Sequence, residues 1–380
     1  MFKLIKVLFF NIFYLILLLM ILELFLSLFL PVNKYEMKIG GEYKSISGWG
    51  PTTKSGQSNF LCDNVRNYDS NNKIKKILTI GDSLLDCNEY GSEFKNTIPY
   101  LMSTTLGKNW DVYNLSAGGW GTDQEYLAYM NYSKYNNFDY VILFYTPAND
   151  LYNNISKKAI SEKIAKPYFI IKDDNLQLRN IELNYINNKN INKSLLYLLL
   201  KSQIFMRIYI YLDNNKIINL DNEFTSLEQE NYAHMAHSIV PLLPRYKISM
   251  EVTKKIISKF KKDVEFNGSK FVLVYIPTGI RNLCEPLIKY PSNCIGYGEN
   301  KNINITCGGK SVNVNPYIQH DILYQFSKQE NITFIADFSN FIEFEYKHNE
   351  IANDCIHFNG SRQASYVSDV VVKKLLAIEH

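Results

Sequence analysis

The stretch Lys76-Ile77-Leu78-Thr79-Ile80-Gly81-Asp82-Ser83-Leu84 joins a short apolar run to a tight turn that carries a serine. Four to six β-branched or aliphatic residues that end at a glycine are typical of a buried strand. A serine on the turn between a strand and a helix has an exposed hydroxyl, and the glycine lets a substrate approach the backbone closely. The triplet alone is weak support for catalysis, because the same residues also cap helices.

Four further runs of the same kind follow, and each is bounded by polar or turn-forming residues. Runs that are apolar on both faces, and that are separated by segments with helical patterning, indicate βαβ units with helices on both faces of the sheet. The sequence therefore predicts an α/β fold, a three-layer α/β/α sandwich around a five-stranded parallel sheet. The four runs span residues 111–115, 140–145, 271–276 and 332–336.

The α/β domain is predicted over residues 75–380, with two inserts. About 125 residues separate the third run from the fourth, far more than one crossover helix needs. Residues 151–250 contain stretches rich in Leu, Ile, Tyr and Glu and are predicted to form a largely helical cap. Residues 279–325 form a second insert that carries three of the six cysteines, and a closing helix is predicted over residues 362–378.

The N-terminal residues 7–30 are almost continuously apolar. At about 1.5 Å per residue, such a helix covers the roughly 30 Å of bilayer hydrocarbon. We interpret residues 1–31 as an uncleaved signal anchor, a single transmembrane helix in the lipid bilayer, followed by a stalk over residues 32–74. Lys3 and Lys6 place the N-terminus in the cytoplasm, so the catalytic domain is expected outside it, in the periplasm or at the cell exterior.

The overall charge argues against a nucleic-acid partner. The chain has 41 Lys and Arg against 37 Asp and Glu, a formal net charge of +4, and these residues are evenly scattered. A nucleic-acid surface would require a basic stripe interleaved with aromatic residues, which is not found.

Polar residues also follow the second and third runs. Ligands of open α/β sheets bind beyond the carboxyl ends of the strands, so these positions are candidates for a site. Gly119 can present a backbone N–H to a carbonyl oxygen, with Gly118 as the alternative, and the Asn149 side chain can supply a second donor. Taken singly, each of these positions is equally typical of a turn.

Near the C-terminus stands Asp354-Cys355-Ile356-His357. An Asp three residues before a His can accept from the ring Nδ1–H, which leaves Nε2 to act as a general base toward a serine. A lone motif of this kind is more often structural. Together with Ser83, Gly119 and Asn149, however, it supplies each part that acyl transfer requires.

In these four blocks the sequence resembles the SGNH, or GDSL-type, hydrolase superfamily, whose fold is flavodoxin-like. The resemblance implies Ser83 as nucleophile, and His357 with Asp354 as the base and its orienting partner. It also implies an oxyanion hole of the Ser83 backbone N–H, Gly119 and Asn149. The Gly-x-x-x-x-Gln spacing favours Gly119 over Gly118. Where family members often have a glycine shortly before the Asn, this chain has Thr146-Pro147-Ala148.

The resemblance implies a serine hydrolase that cleaves an acyl ester through an acyl-enzyme, and no metal or organic cofactor. Membrane-anchored members with such a cap include polysaccharide O-acetyl esterases and O-acetyltransferases, so an O-acetyl ester on a glycan is the expected substrate. Two alternatives stay open. One is an O-acyltransferase that moves the acyl group to a sugar hydroxyl, and the other is a catalytically silent, membrane-tethered module that binds glycans.

If the triad closes, Cys87 and Cys355 come near each other, and we predict a disulfide between them. A location outside the cytoplasm permits disulfide bonds, and the remaining four cysteines would then form two further disulfides. No Cys-x-x-Cys pair occurs. His234 and His237 have helical spacing that could form half of a metal site, but a pair that is exposed to solvent or packs inside the cap is the favoured interpretation.

Overall fold

The structure is a computed structural model that divides the chain into two units, residues 1–36 with 181–224 and residues 37–180 with 225–380. It describes residues 2–29, 41–44, 48–51, 74–85, 96–132, 137–154, 156, 166–179, 236–276, 280–281, 294–295, 302–307, 310–337 and 361–379.

The first unit contributes one described helix, α1 (Phe2–Phe29), which overlaps the apolar stretch over residues 7–30. Among the residues that the structure describes, no helix combines the length and the apolar character that crossing a bilayer requires. The membrane anchor over residues 1–31 and the location of the domain outside the cytoplasm therefore stay predictions.

In the second unit, the strands are mostly short and lie either in one five-stranded sheet or in hairpins. They are β1 (Gly41–Lys44), β2 (Gly48–Pro51), β3 (Lys75–Gly81), β4 (Trp110–Ser116), β5 (Tyr140–Tyr145), β6 (Tyr168–Lys172), β7 (Asn175–Arg179), β8 (Lys270–Tyr275), β9 (Ile280–Arg281), β10 (Cys294–Ile295), β11 (Ile303–Cys307), β12 (Lys310–Val314) and β13 (Thr333–Ile335).

The helices of this unit alternate with the strands of the large sheet, as βαβ units require. They are α2 (Ile98–Leu106), α3 (Thr122–Tyr132), α4 (Pro147–Asn153), α5 (Pro244–Phe266), α6 (Ile318–Gln329) and α7 (Ser361–Glu379).

The large sheet has the order β13-β8-β5-β3-β4, and every pairing in it is parallel. Each of the five predicted runs overlaps one of these strands, so the five-stranded parallel sheet is confirmed. The chain crosses from one side of β3 to the other after β4. This reversal of direction is the topological switch point at which flavodoxin-like sheets bind their ligands.

Helices cover both faces of the sheet, because successive residues of each buried strand point to opposite sides. On one face, Ile77, Ile142 and Val274 pack with residues of α2 and α7. On the other, Leu78, Leu143 and Leu273 pack with residues of α3, α5 and α6. The predicted three-layer arrangement is therefore present.

The inserts differ in detail from the prediction. In the first, predicted as a largely helical cap, the described residues include the antiparallel hairpin β6–β7, and residues 180–235 lie outside the described part. The second contains the hairpins β9–β10 and β11–β12. Helix α6 begins at Ile318, inside the predicted bounds of this insert. Leu323 and Phe326 of α6 are buried, so this helix belongs to the sandwich as the crossover between β8 and β13.

We expect the replacement of Leu273 by alanine to destabilise the protein by about 2–5 kcal/mol, because it leaves a cavity in the middle of the sheet. Leu273 is fully buried on β8, whereas Leu178 on β7 is 43% exposed and provides the matched control. Leu178→Ala is expected to change stability by about 0.5 kcal/mol or less. Urea unfolding of the two variants measures the difference, and similar losses would contradict this account of the core.

Candidate active site

Three turns lie side by side at the carboxyl edge of the sheet. β3 is flanked by β4 and β5, and the registers pair Gly81 with Ser116 and Ile80 with Leu143. Because parallel strands end at the same edge, the residues that follow these positions are neighbours in space. The sheet therefore brings together the turns that carry Ser83, Gly119 and Asn149, which lie far apart in the sequence.

The turn that carries Ser83 is fixed from two sides. Asp82 Oδ1 accepts from the Leu84 N–H at 3.0 Å, and the Asp82 carbonyl accepts from the Leu85 N–H at 3.1 Å. From β4, the Asn114 side-chain amide donates to the Leu85 carbonyl at 2.8 Å. These bonds hold the backbone around Ser83, whose residue surface is 8% exposed.

A direct bond joins this turn to Asn149. The Asn149 Nδ2 donates to Asp82 Oδ2 at 2.6 Å, and Asn149 is 8% exposed. Asn149 lies in the first turn of α4, which begins at Pro147 directly after β5, and its own N–H donates to the Thr146 carbonyl at 3.0 Å. The serine turn and the predicted side-chain oxyanion donor are therefore adjacent.

Gly119 lies on the turn between β4 and α3 with φ of +70°, in the left-handed region that glycine adopts without steric cost. Its carbonyl accepts from the Asn153 side-chain amide at 2.9 Å, so α4 holds this turn as well. Within the described part of the chain, no acceptor is recorded for the Gly119 N–H. A backbone donor of this kind is what an oxyanion hole requires.

The other half of the predicted machinery lies outside the described residues. This holds for Asp354 and His357, and for the predicted disulfide between Cys87 and Cys355. The structure therefore leaves the triad and the disulfide as predictions.

Sequence reasoning missed a cluster of buried acids beneath the three turns. Asp82, Asp123, Glu125 and Asp150 are each 0–1% exposed, and we call them the acid cluster. Asp150 Oδ1 accepts from the Thr122 hydroxyl and Oδ2 from the Thr146 N–H, both at 2.6 Å. Asp150, the residue after Asn149, therefore connects the end of β5 to the start of α3.

One member of the acid cluster has a buried cation as partner. The Lys166 ammonium forms an ion pair with Asp123 Oδ2, and both side chains are fully buried. The Asp123 N–H donates to Asn154 Oδ1 at 3.0 Å, which joins the start of α3 to the end of α4. Burial raises the pKa of Asp123, and Lys166 opposes this rise.

Glu125 has no such partner. Among the described residues, neither of its carboxyl oxygens has a hydrogen-bond partner. Burial raises the pKa of Glu125 well above its usual range, and the nearby charges of Asp150, Asp82 and Asp123 raise it further. Burial and the charge of Asp82 also raise the pKa of Asp150. The protonated, neutral form of Glu125 is therefore favoured in the folded protein.

Of the two histidines considered for a metal site, His237 lies in the described part of the chain. His237 is buried, its carbonyl accepts from Gln319 Nε2 at 3.2 Å, and His234 lies outside the described residues. Where side chains are described, no three His, Cys, Asp or Glu residues converge as metal ligands would.

No protein-family model matches the chain, and no characterised protein matches it by sequence. Several solved structures are similar to it. An acetyl xylan esterase, AlAXEase, is 11% identical over 79% of this chain and 99% of its own, with a TM-score of 0.38. A putative lipolytic protein of the G-D-S-L family from Desulfitobacterium hafniense is 9% identical over 79% of this chain and 98% of its own, with a TM-score of 0.35.

A carbohydrate acetylesterase family member from Sinorhizobium meliloti is 9% identical over 80% of this chain and 97% of its own, with a TM-score of 0.33.

The unpaired acid leads to a prediction about stability and pH. An unfolded glutamate titrates near 4.3. Since the pKa of Glu125 is raised in the folded state, the folded protein holds a proton that the unfolded chain loses, and stability falls as the pH rises above about 4.3. Glutamine does not titrate, so Glu125→Gln removes the loss of stability at rising pH. We expect the stability of the variant relative to the unsubstituted protein to rise between pH 5 and pH 8, as measured by urea unfolding.

Glu265→Gln is the control, because Glu265 is an exposed residue near the end of α5 and lies outside the acid cluster. Its difference from the unsubstituted protein should stay nearly constant over the same pH range. A constant difference for Glu125→Gln as well would show that Glu125 does not carry the extra proton.

Proposed function

We propose that the protein is a serine esterase that cleaves an acyl ester through an acyl-enzyme on Ser83. The bond between Asn149 Nδ2 and Asp82 Oδ2 carries this proposal, because it puts a side-chain amide next to the turn of the candidate nucleophile. The Gly119 carbonyl accepts from the side chain of Asn153, which lies on the same helix as Asn149, so the Gly119 turn lies beside α4. A hydroxyl and two kinds of N–H donor at one edge of a sheet are what attack on a carbonyl requires.

In the proposed reaction, His357 takes the proton of the Ser83 hydroxyl as Ser83 Oγ attacks the carbonyl carbon. Asp354 holds the imidazole in the tautomer that leaves Nε2 toward the serine. The carbonyl oxygen becomes an oxyanion, which accepts from the N–H groups of Ser83 and Gly119 and from the Asn149 amide.

When the tetrahedral intermediate collapses, the bond to the alcohol oxygen breaks and His357 gives its proton to that oxygen. Water then attacks the acyl-enzyme, with His357 as the base again, and releases the acid and the free Ser83. The cycle is balanced without a metal or an organic cofactor.

For the substrate, we propose a short acyl group, an O-acetyl ester on a polysaccharide. The support is the combination of a predicted anchor and a predicted cap with the four sequence blocks, which is similar to that of membrane-anchored polysaccharide O-acetyl esterases and O-acetyltransferases. The predicted location of the domain outside the cytoplasm, where cell-surface glycans occur, agrees with this substrate.

The central test is the replacement of Ser83 by alanine. We expect hydrolysis of an aryl acetate to fall by at least about 1,000-fold, because the variant has no nucleophile. A fluorophosphonate probe should label the unsubstituted protein and not this variant. A series of aryl esters from acetate to octanoate, assayed alongside, measures the preferred acyl length, for which the proposal expects acetate.

Ser258→Ala is the matched control. Ser258 lies on α5 and donates to Glu330 Oε2 at 2.7 Å, so its loss removes a serine hydroxyl that the proposed reaction does not use. Full activity is expected in this variant. Activity retained by Ser83→Ala would exclude the proposed mechanism.

We also propose that residues 1–31 anchor the enzyme in a bilayer. The full chain should then stay in the membrane pellet after washes with high salt and alkaline carbonate, and detergent should release it. The chain without residues 1–31 should be recovered in the supernatant. Leu18→Arg, near the middle of α1, should weaken insertion by about 2.5–3.5 kcal/mol. Release of the full chain by salt alone would contradict the anchor.

A further inference from the structure

The Asp82 carboxylate forms hydrogen bonds both within the turn that carries Ser83 and to the side chain of Asn149. Its Oδ1 accepts from the Leu84 N–H at 3.0 Å, and its Oδ2 accepts from Asn149 Nδ2 at 2.6 Å. The residue is 1% exposed, so water does not compete freely for either bond. One side chain therefore sets the distance between the residue after Ser83 and the side chain of Asn149.

The chemistry of the two groups fixes the orientation of the amide. An Asn side chain has a carbonyl oxygen that only accepts and a nitrogen that carries two N–H groups. An ionised carboxylate only accepts, so the nitrogen of Asn149 must face Asp82. One N–H is used in this bond, and the second stays available to an oxyanion. With the amide turned by 180°, Asn149 would present lone pairs in place of the N–H group.

We propose that Asp82 is a positioning residue for the oxyanion hole: it holds the Asn149 amide with its nitrogen toward the reacting carbonyl. The role rests on the proposed esterase function. In this scheme Asp82 acts through its bond to Asn149 and is not itself a donor to the oxyanion. Its contribution is made before the reaction, because a donor that is already oriented costs no reorganisation when the charge develops.

The hydrogen bonds of Asp82 are those of an ionised carboxylate. Oδ1 accepts from the Leu84 N–H and Oδ2 accepts from Asn149 Nδ2, so both oxygens act as acceptors. Burial raises the pKa values of Glu125 and Asp150, and neutral forms of these two neighbours limit the repulsion inside the acid cluster. Of the four acids, Asp82 is the one that accepts from the Asn149 amide, and a charged acceptor strengthens such a bond.

A purely structural role for Asp82 predicts a different effect of the Asp82→Asn substitution on activity. If Asp82 served only to cap the turn at Leu84, its replacement by asparagine would be mild, because asparagine keeps one oxygen for the Leu84 N–H. In the positioning role the same substitution is severe. In Asp82→Asn, the new side-chain nitrogen would face Asn149 Nδ2, and two donors would oppose each other. The Asn149 amide would then rotate so that its oxygen faces the substituted side chain and no N–H faces the oxyanion.

The experiment is a double-mutant cycle on the full chain, with kcat and KM measured on an aryl acetate. Asn149→Ala is expected to lower kcat by about 100- to 1,000-fold, the loss typical of one oxyanion donor. Asp82→Asn should lower kcat to a similar extent and change KM by less than about threefold, since the oxyanion bond strengthens only in the transition state. The double variant should lie within about threefold of Asn149→Ala, because both changes remove the same donor.

Asp139→Asn is the matched control. Asp139 Oδ2 accepts from the Lys76 N–H at 2.7 Å at the amino edge of the same sheet, so the control also weakens a carboxylate bond to a backbone N–H. Its kcat should stay unchanged. Urea unfolding of every variant, in the same buffer, shows which fraction is folded in the assay.

The outcomes separate the two proposals. If Ser83→Ala keeps the activity, the esterase function and the role of Asp82 both fall. If activity depends on Ser83 but the losses of Asp82→Asn and Asn149→Ala multiply in the double variant, only the role of Asp82 falls. A mild effect of Asp82→Asn on kcat would also overturn the positioning role of Asp82.

A second measurement covers the case in which Asp82→Asn does not fold. The side-chain amide signals of Asn149 are identified by NMR as those absent from Asn149→Ala. One of the two protons should be shifted downfield by its bond to the carboxylate and should exchange slowly with water. Two ordinary, equally exchanging amide protons would overturn the role of Asp82.

Discussion

The hydrogen bond between the Asp82 carboxylate and the Asn149 amide is the contact on which the proposed site depends. Its two partners are 67 residues apart in the sequence and lie 2.6 Å apart in space. The sheet makes this possible, because β3 lies directly beside β5 and both strands end at the same edge. Burial then gives the bond its strength, since a carboxylate that has lost its water depends on the donors that the protein supplies.

This arrangement has an electrostatic cost. Four acids are buried close to one another at the carboxyl edge, and the buried ammonium of Lys166 pairs with Asp123. The cost is limited by protonation, because burial and mutual repulsion favour neutral forms of Glu125 and Asp150. Buried groups with shifted pKa values are common at functional sites, where orientation matters more than stability.

Much of the fold could be predicted from the sequence. The five runs, from 76–80 to 332–336, could be recognised as strands because each is short and rich in β-branched, aliphatic or aromatic residues, and this pattern is local. The turn residues Ser83, Gly119 and Asn149 could be found for the same reason, since each follows directly after a strand. Helix α6 was not predicted, because its first residues were assigned to the second insert. The hairpin β6–β7 was missed inside a segment interpreted as helical.

The sequence by itself therefore determined the five strands of the large sheet and the turn residues that follow three of them, because these depend on neighbours within a few positions. The tertiary structure alone decided the partner of each side chain. Nothing local in Gly-Asp-Ser reveals that Asp82 accepts from Asn149, or that Glu125 on α3 is enclosed without a hydrogen-bond partner among the described residues. Both facts follow from strand order and helix packing, which bring distant segments together and exclude water from between them.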